Sequence, residues 1–373
     1  MRFGNVYGFP YGLQWANVRH AHSHIMFFGW VTPALMGLIF ARLPLAQQAT
    51  PSQRKKVNIV IILLLIFATV AYSIFLFYGY SLVPIGDNNY PFAVMISGLS
   101  AMVWYGYLWI YKKAIKGNRG EPAVRLWNGA AWFLFLASLS AWGVVVAARL
   151  DSIPEIVLVL FTHLFLDLFS EGWFILGVLG LIYASNPEAG NHRWMRKSET
   201  LLYIGIPIVF LLGVPTHLLT MPVRLLGGVA ALLVGLGLGI NVIILWPRVA
   251  AWWRVPLAFL GLKAVSMLFA AVPQIMKWAE RGGLHISYLH WMLLGFVTLG
   301  LVAAAVETWG ESAAKGWKWM TTAVIILILT LLPLTAVWPS ALAGRWVLHA
   351  AAWATIFPIL IATWMLIYSI RNS

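Results

Sequence analysis

Three ionisable side chains stand at a spacing of four inside one long apolar stretch of the sequence. In "FTHLFLDLFSEGWF", His163, Asp167 and Glu171 follow one another at positions i, i+4 and i+8. This spacing places successive side chains on one face of a helix. Imidazole and carboxylate groups bind transition metals and also exchange protons near neutral pH. The stretch therefore predicts a metal site or a proton site, and the alternative is a hydrogen-bonded polar seam between packed helices.

Histidines open two other apolar stretches in closely similar contexts. His20, His22 and His24 alternate in "RHAHSH", and "HIMFFGWVT" from His24 aligns with "HWMLLGFVT" from His290. Two histidines at one depth on facing helices can supply both axial ligands of a haem, and a glycine five positions later lets the macrocycle approach the backbone. The matched pair therefore predicts a haem site. A single membrane histidine, in contrast, is more often a hydrogen-bonded core residue.

The composition is that of an integral membrane protein. The chain has 373 residues, of which 61% are hydrophobic and 10% charged, and its mean hydropathy is +0.84. Cysteine is absent, which excludes disulfides, thiolate metal sites and attached c-type haem, so His, carboxylate, Tyr or Met must hold any metal. The net charge of +14 comes from short loops between apolar runs. This distribution sets topology and argues against a nucleic-acid partner.

Eleven segments have the roughly 20 mainly apolar residues that a membrane crossing needs. The sequence therefore predicts an all-α, polytopic helical bundle in contact with membrane lipid. We expect a single membrane-embedded domain over 1–373, with an outer N-terminal segment at 1–22 and the bundle at 23–370. The predicted spans are 23–43, 57–82, 91–111, 127–149, 154–184, 201–220, 222–246, 253–273, 286–307, 319–338 and 345–370.

The basic residues predict the orientation of the bundle. Alternate loops place 17 of the 25 Lys and Arg residues on one side and 7 on the other, with Lys263 inside a span. The richer side is predicted to face the cytoplasm, so the N-terminus lies outside and the C-terminus inside a bacterial or archaeal cytoplasmic membrane. Eight of the nine histidines then fall in the outer half. Lys263 either lines a proton path or is hydrogen-bonded within the bundle.

The order of these motifs resembles that of the haem–copper oxidase superfamily, whose core subunit has twelve helices. If this chain lacks the family's first helix, the family's ligand-bearing helices fall on the spans 23–43, 154–184, 201–220 and 286–307. "HSHIMFF" is similar to the family's H-G-x-x-M-x-F, and "YLHWMLLG" to its H-G-H-L-x-x-x-G. "HLFLDLFSE" resembles the H-L-W-V-E-G-V-W-E of nitric oxide reductases. "HSHIMFFG" also looks like the H-A-H-E-M-L-F-G of NnrS-type haem- and copper-containing membrane proteins.

The resemblance implies at least one low-spin b-type haem. His22 and His290 match the family's low-spin ligands, whereas the internal alignment favours His24 over His22. Arg345 stands where the family keeps basic residues for the haem propionates. His349 is a further candidate for binding haem iron, and the family pattern leaves room for a second haem.

The resemblance also implies a second metal centre. It assigns His163, Asp167 and His217 as ligands of copper or non-haem iron, with Glu171 as the second carboxylate beside them. Tyr288 stands where the family has the histidine of its high-spin haem, and a phenolate can also bind haem iron. Glu171 and Tyr288 are therefore the candidate catalytic residues. The departure at Tyr288 leaves open whether the reactive centre is retained.

The expected function is that of a haem-binding redox membrane protein that reduces, or responds to, a small gas such as nitric oxide or oxygen. As an enzyme it would be an oxidoreductase, with electrons from an outer cytochrome c, a quinol or other respiratory subunits. One alternative is a non-catalytic, haem-bearing electron-transfer or structural subunit of a respiratory complex. The other is a proton- or metal-coupled transporter, which would use the same intramembrane groups.

Overall fold

The computed structural model describes residues 2–43, 50–116, 120–150, 152–311, 315–342 and 344–372. Within these ranges, ten helices are long and apolar enough to cross a membrane. The protein is therefore an all-α, multi-pass membrane protein whose helices contact lipid. Its contacts divide the chain into two compact units, Met1–Arg119 and Gly120–Ser373. Each unit is described by itself, and the single domain expected from the sequence stays a prediction.

The first unit contains three of the ten spans, one short helix and a β-hairpin. The hairpin pairs its two strands in antiparallel register, with Val83 opposite Tyr90. The elements are α1 (Arg2–Tyr7), α2 (Trp15–Arg42), α3 (Pro51–Tyr78), β1 (Val83–Ile85), β2 (Asn88–Tyr90) and α4 (Phe92–Ala114).

The helices α2 and α3 both begin before the apolar runs that predict them. α3 begins at a capping box, in which Thr50 and Gln53 each accept a hydrogen bond from the other's backbone N–H. α2 begins at Trp15 because Ala21 packs fully buried against α3, although polar residues lower the hydropathy of its first turns. The N-terminal segment predicted at 1–22 therefore overlaps this helix, and the histidines of "RHAHSH" are helical.

The second unit contains the other seven spans and two shorter helices. Together with the first unit, these spans coincide with ten of the eleven segments predicted from the sequence. The helices are α5 (Pro122–Ala147), α6 (Glu155–Ser185), α7 (Met195–Val209), α8 (Met221–Leu245), α9 (Ala251–Ala270), α10 (Pro273–Arg281), α11 (Leu284–Glu311), α12 (Trp317–Leu334) and α13 (Arg345–Arg371).

The segment 201–220 is the one predicted span that lacks a long apolar helix. Its helix α7 begins six residues earlier, with charged side chains in the first turns, and ends at Val209. One 3-10 turn, Phe210–Leu212, follows before Gly213 and Pro215 stop the helix. The charged start and the early stop explain why the apolar length falls short.

The helix α7 nevertheless packs antiparallel to α8 along its length. Near its start, the Ser198 hydroxyl donates to the Gly237 carbonyl at 3.0 Å, close to the end of α8. Beyond its end, Leu211 lies beside Gly227, close to the start of α8. The start of α7 thus lies near the end of α8, and the residues after α7 lie near the start of α8. An eleventh crossing of the membrane would require this arrangement.

The two faces of α8 differ in side-chain size. Small residues make the inner face, where a Cβ on Gly228 would stand 2.7 Å from the Ala271 carbonyl and a Cβ on Gly235 would stand 3.0 Å from that of Ala264. Large apolar residues make the outer face, and Ile243 is 75% exposed. Close backbone approach on one side and apolar exposure on the other are typical of a helix at the lipid boundary.

Three spans contain a π-helical stretch that starts directly after an ionisable residue. In each case a glycine follows that residue by five positions. The sequence alignment between the stretches that begin at His24 and His290 thus corresponds to a shared structural feature. The helix α6 has the same feature after Asp167. Such turns are rare and frequently lie at functional sites. The stretches are Ile25–Val31 after His24, Leu168–Ile175 after Asp167 and Trp291–Thr298 after His290.

Candidate functional site

The second unit holds a buried ion pair joined by a tyrosine. Lys263 Nζ of α9 donates to Glu171 Oε1 of α6 at 2.6 Å, and the two side chains are 0% and 4% exposed. The Tyr288 hydroxyl of α11 donates to the same carboxylate oxygen at 3.1 Å and also contacts Lys263 Nζ. Three helices far apart in the sequence therefore meet at one oxygen atom.

The local sequence explains why these groups stay inside the protein. All eight residues of the π-helical stretch that contains Glu171 are buried, and Lys263 lies on the buried face of α9 with Leu260 and Ala264. A buried charge is costly unless an opposite charge and hydrogen bonds compensate it. Lys263 is thus hydrogen-bonded within the bundle, as one of its two interpretations predicts, while its role in a proton path stays a prediction.

Asp167 adds a second carboxyl group to this site. It precedes Glu171 by one helical turn and lies within electrostatic range of both Glu171 and Lys263. Glu171 is thus paired with the Lys263 ammonium group and the Tyr288 hydroxyl, and Asp167 is the second carboxyl group near them. We call these four residues, Asp167, Glu171, Lys263 and Tyr288, the carboxylate cluster.

Of the predicted histidine ligands, His163 lies one helical turn before Asp167 in α6, and His217 follows the end of α7. The ring of His163 packs on the backbone of Gly213, where a Cβ would stand 2.5 Å from Nδ1, and its electrostatic neighbour is His285. His217 is exposed in a 3-10 turn. In the part of the chain that the structure describes, no three His, Cys, Asp or Glu side chains form a group suited to a metal ion. The assignment of His163, Asp167 and His217 as metal ligands therefore stays a prediction.

The histidines of the first unit occupy two different environments. The ring of His24 stacks on Phe75 of α3, with centroids 4.0 Å apart, and His20 lies edge-on to Tyr80 at 4.9 Å. These two rings therefore belong to an aromatic cluster on the α3 side of α2. His22 lies two positions away, roughly 200° around the helix, and is exposed.

His290 makes a hydrogen bond to the backbone through its Nδ1 atom. Its Nδ1 atom lies 2.7 Å from the carbonyl oxygen of Ile286, one turn earlier in α11. A carbonyl oxygen can only accept, so Nδ1 carries a proton, and Nε2 is the ring nitrogen through which this imidazole would bind a metal. Ligating histidines commonly donate their second ring N–H to a backbone carbonyl in this way. The local geometry therefore fits a ligand that binds through Nε2.

The glycines that follow His24 and His290 have a packing function. A Cβ on Gly295 would stand 2.5 Å from the ring of Phe259 in α9. A Cβ on Gly29 would stand 3.2 Å from Ala68 Cβ in α3. These glycines allow neighbouring helices of their own unit to approach, which differs from the expectation that they open space for a macrocycle.

The remaining predicted site residues lie at the start of α13. Arg345 and His349 are both exposed there, in the first and second turns of the helix. The main addition to the predicted site is Lys263 as the direct partner of Glu171. The signal for Lys263 is present in the sequence as a charge inside a span, but its partner lies 92 residues away.

A second polar cluster joins the first turns of α5 and α7. Arg125 Nε donates to both oxygens of Glu199 at 3.0 and 3.1 Å, and Arg125 Nη2 donates to Oε1 at 2.8 Å. The Tyr203 hydroxyl donates to the Arg125 carbonyl at 2.8 Å. Arg125 and Glu199 lie in separate segments of the sequence, so the spacing of residues within one helix could not predict their ion pair.

The fold and these clusters define the class, an all-α, multi-pass membrane protein with ionised groups buried in its second unit. Comparison with known proteins adds no family to that class. No protein-family model matches the chain, and no curated protein matches it.

Proposed function

We propose that this chain is a haem-binding redox membrane protein of the haem–copper oxidase type. The observation that carries the proposal is the hydrogen bond from His290 Nδ1 to the Ile286 carbonyl, since ligating histidines commonly donate one ring N–H to a backbone carbonyl and bind the metal through the other nitrogen. The order of the ligand motifs and the matching π-helical stretches after His24 and His290 support it. A bound b-type haem would supply a one-electron redox centre.

We propose His22 as the second axial ligand. His22 is exposed, whereas the ring of His24 is stacked on Phe75 in its own unit. This assignment agrees with the motif resemblance and differs from the internal alignment. Arg345 is proposed to pair with a haem propionate and His349 to serve a second iron, because both side chains are exposed and polar.

The proposed substrate or signal is a small gas such as nitric oxide or oxygen, with electrons from an outer cytochrome c or a quinol. A gas-binding protein requires an iron with an open coordination position, whereas a subunit that only transfers electrons does not. A spectral shift of the reduced protein on adding carbon monoxide or nitric oxide supports gas binding. An unchanged spectrum favours the electron-transfer or structural subunit.

Haem content and single histidine variants test the proposal. We expect a pyridine haemochrome spectrum of b type from the purified protein, and loss of the low-spin band in His290→Ala and His22→Ala. His24→Ala should keep the band, and so should the control His192→Ala, whose imidazole lies in the loop before α7. Loss of the band in His24→Ala alone would assign the ligand to His24. A wild-type protein without haem would overturn the proposal.

A proton-coupled transporter is the second candidate, and the carboxylate cluster is the observation that favours it. Buried ionisable groups in membrane spans often mark proton or ion pathways, and Lys263 and Glu171 are almost fully buried. Proteoliposomes with an internal pH-sensitive dye distinguish the two functions. Substrate-dependent proton uptake by haem-free protein, lost in Glu171→Gln, would favour the transporter.

A further inference from the structure

We propose that the Lys263 ammonium group takes the place of a metal ion at Glu171 and Asp167, so that this centre is metal-free and excludes divalent cations. The observation is that Glu171, one of the two carboxyl groups predicted for a second metal centre, is paired with a covalently attached cation, and that Asp167 precedes it by one helical turn. The inference goes beyond the proposed haem and does not depend on it, because every group involved belongs to the carboxylate cluster.

The hydrogen bonds occupy one of the two carboxylate oxygens of Glu171. Its Oε1 atom accepts from Lys263 Nζ at 2.6 Å and from the Tyr288 hydroxyl at 3.1 Å. A carboxylate oxygen has two lone pairs, and both have a partner here. A metal that bound this oxygen would have to displace a short, charge-assisted hydrogen bond.

The charge of Lys263 and its burial both oppose the binding of a second cation. Lys263 is fully buried, so neither water nor salt screens its charge from a second cation. The ammonium group is tethered to α9 and cannot diffuse away, whereas a metal ion can. The ring of His163, the imidazole that would complete a metal site, packs on Gly213 and lies near His285.

This arrangement changes what the centre can do. A metal would bind a substrate at an open coordination position, whereas Lys263 Nζ and the Tyr288 hydroxyl offer N–H and O–H donors. The carboxylate cluster therefore holds protons in an apolar part of the second unit. Any small molecule at this site would be hydrogen-bonded rather than coordinated.

Removing the ammonium group tests the proposal. Lys263→Met keeps a long unbranched side chain without the charge, and it leaves Glu171 and Asp167 uncompensated. With Co²⁺ as the probe, we expect this variant to bind about one ion per chain, at least about tenfold more tightly than wild type, with cobalt absorption bands and a raised Tm. Wild type should retain no non-haem metal by elemental analysis and show no Co²⁺-dependent Tm. The matched control is Lys263→Met/Glu171→Gln, which removes both charges and should bind no cobalt.

Two results would overturn the proposal. One is a wild-type protein that holds one equivalent of non-haem metal and loses it in Glu171→Gln. The other is a Lys263→Met protein that neither binds Co²⁺ nor has its folding rescued by it. A variant that folds only when Co²⁺ is present supports the proposal. Haem is quantified in the same samples, so loss of haem is distinguished from a change in the second centre.

Discussion

Two ion pairs in the described part of the second unit differ in chemistry and in burial. Arg125 and Glu199 have side chains that are 14% and 6% exposed, join through both carboxylate oxygens and have Arg196 3.7 Å from Glu199 as a further charge. Lys263 and Glu171 are 0% and 4% exposed and meet at one oxygen, which Tyr288 also contacts. One pair lies at helix starts, and the other lies inside the spans.

The difference indicates different uses. A guanidinium stays protonated, and its planar fork matches a carboxylate, so Arg125 and Glu199 fix the start of α5 to that of α7. A buried lysine–carboxylate pair has no such matching geometry, and the free energy needed to desolvate its two charges can exceed their attraction. Groups kept in a membrane span at such a cost are commonly functional. We therefore expect the Arg125 pair to be structural and the Lys263 pair to take part in the proposed function.

Breaking the Lys263 pair should have the largest effect on stability. Lys263→Met leaves the Glu171 carboxylate buried without a cation, and we expect a loss of about 3–5 kcal/mol in the free energy of unfolding. Lys263→Met/Glu171→Gln should recover most of this loss, because no buried charge remains. Denaturant unfolding in detergent micelles without added metal measures both. Equal stabilities of the single and double variants would show that charge is not the cause.

Breaking the Arg125 pair should have a smaller effect. Arg125→Ala leaves Glu199 beside the exposed Arg196, so we expect a loss of about 1.5–3 kcal/mol. Arg125→Lys should recover only part of it, since an ammonium cannot make the two parallel hydrogen bonds. The same unfolding assay applies. If Arg125→Ala costs as much as Lys263→Met, the two pairs do not differ in the way that their depth predicts.

A substitution of Gly213 tests how tightly His163 is packed. Gly213→Ala would place a Cβ 2.5 Å from His163 Nδ1, and overpacking of this kind costs about 1–2 kcal/mol. The matched control is Gly239→Ala in α8, where a Cβ would meet no atom within 4 Å. Thermal unfolding of the two variants measures the difference. A Gly213→Ala protein as stable as the control would mean that His163 moves freely.

Removing the tyrosine hydroxyl should have the smallest effect. In Tyr288→Phe the Glu171 carboxylate keeps Lys263, so we expect a loss of about 1 kcal/mol and an unchanged haem content. Unfolding and haemochrome measurements on one preparation check both. A loss close to that of Lys263→Met would instead make Tyr288 an essential part of the pair.

Hydropathy alone is sufficient to predict most of this fold. Ten of the eleven predicted spans are confirmed, because an apolar run of this length has few other solutions in a bilayer. The exceptions are polar ends of helices. α2 extends back to Trp15 and α7 starts with charged residues, and in both cases packing against a neighbouring helix stabilises turns that hydropathy does not detect.

The candidate site is less accessible from the sequence. A spacing of four brings Asp167 and Glu171 together, since neighbouring turns of one helix determine that contact. The Lys263 and Tyr288 contacts join residues 92 and 117 positions from Glu171, and no local pattern encodes them. His217 lies in an exposed turn four residues after Gly213, on which His163 packs, and its role as a ligand stays a prediction.

The π-helical stretch in α11 has a consequence for the direction of the His290 ring. A stretch of this kind holds one residue more than regular α-helical turns need, and each residue corresponds to about 100° of rotation. Deleting one residue within Trp291–Thr298 would turn His290 by about that angle relative to the rest of the helix. The direction in which the His290 side chain points is then set by the number of residues in the stretch and not by their types. A deletion can therefore change that direction while every ionisable side chain is kept.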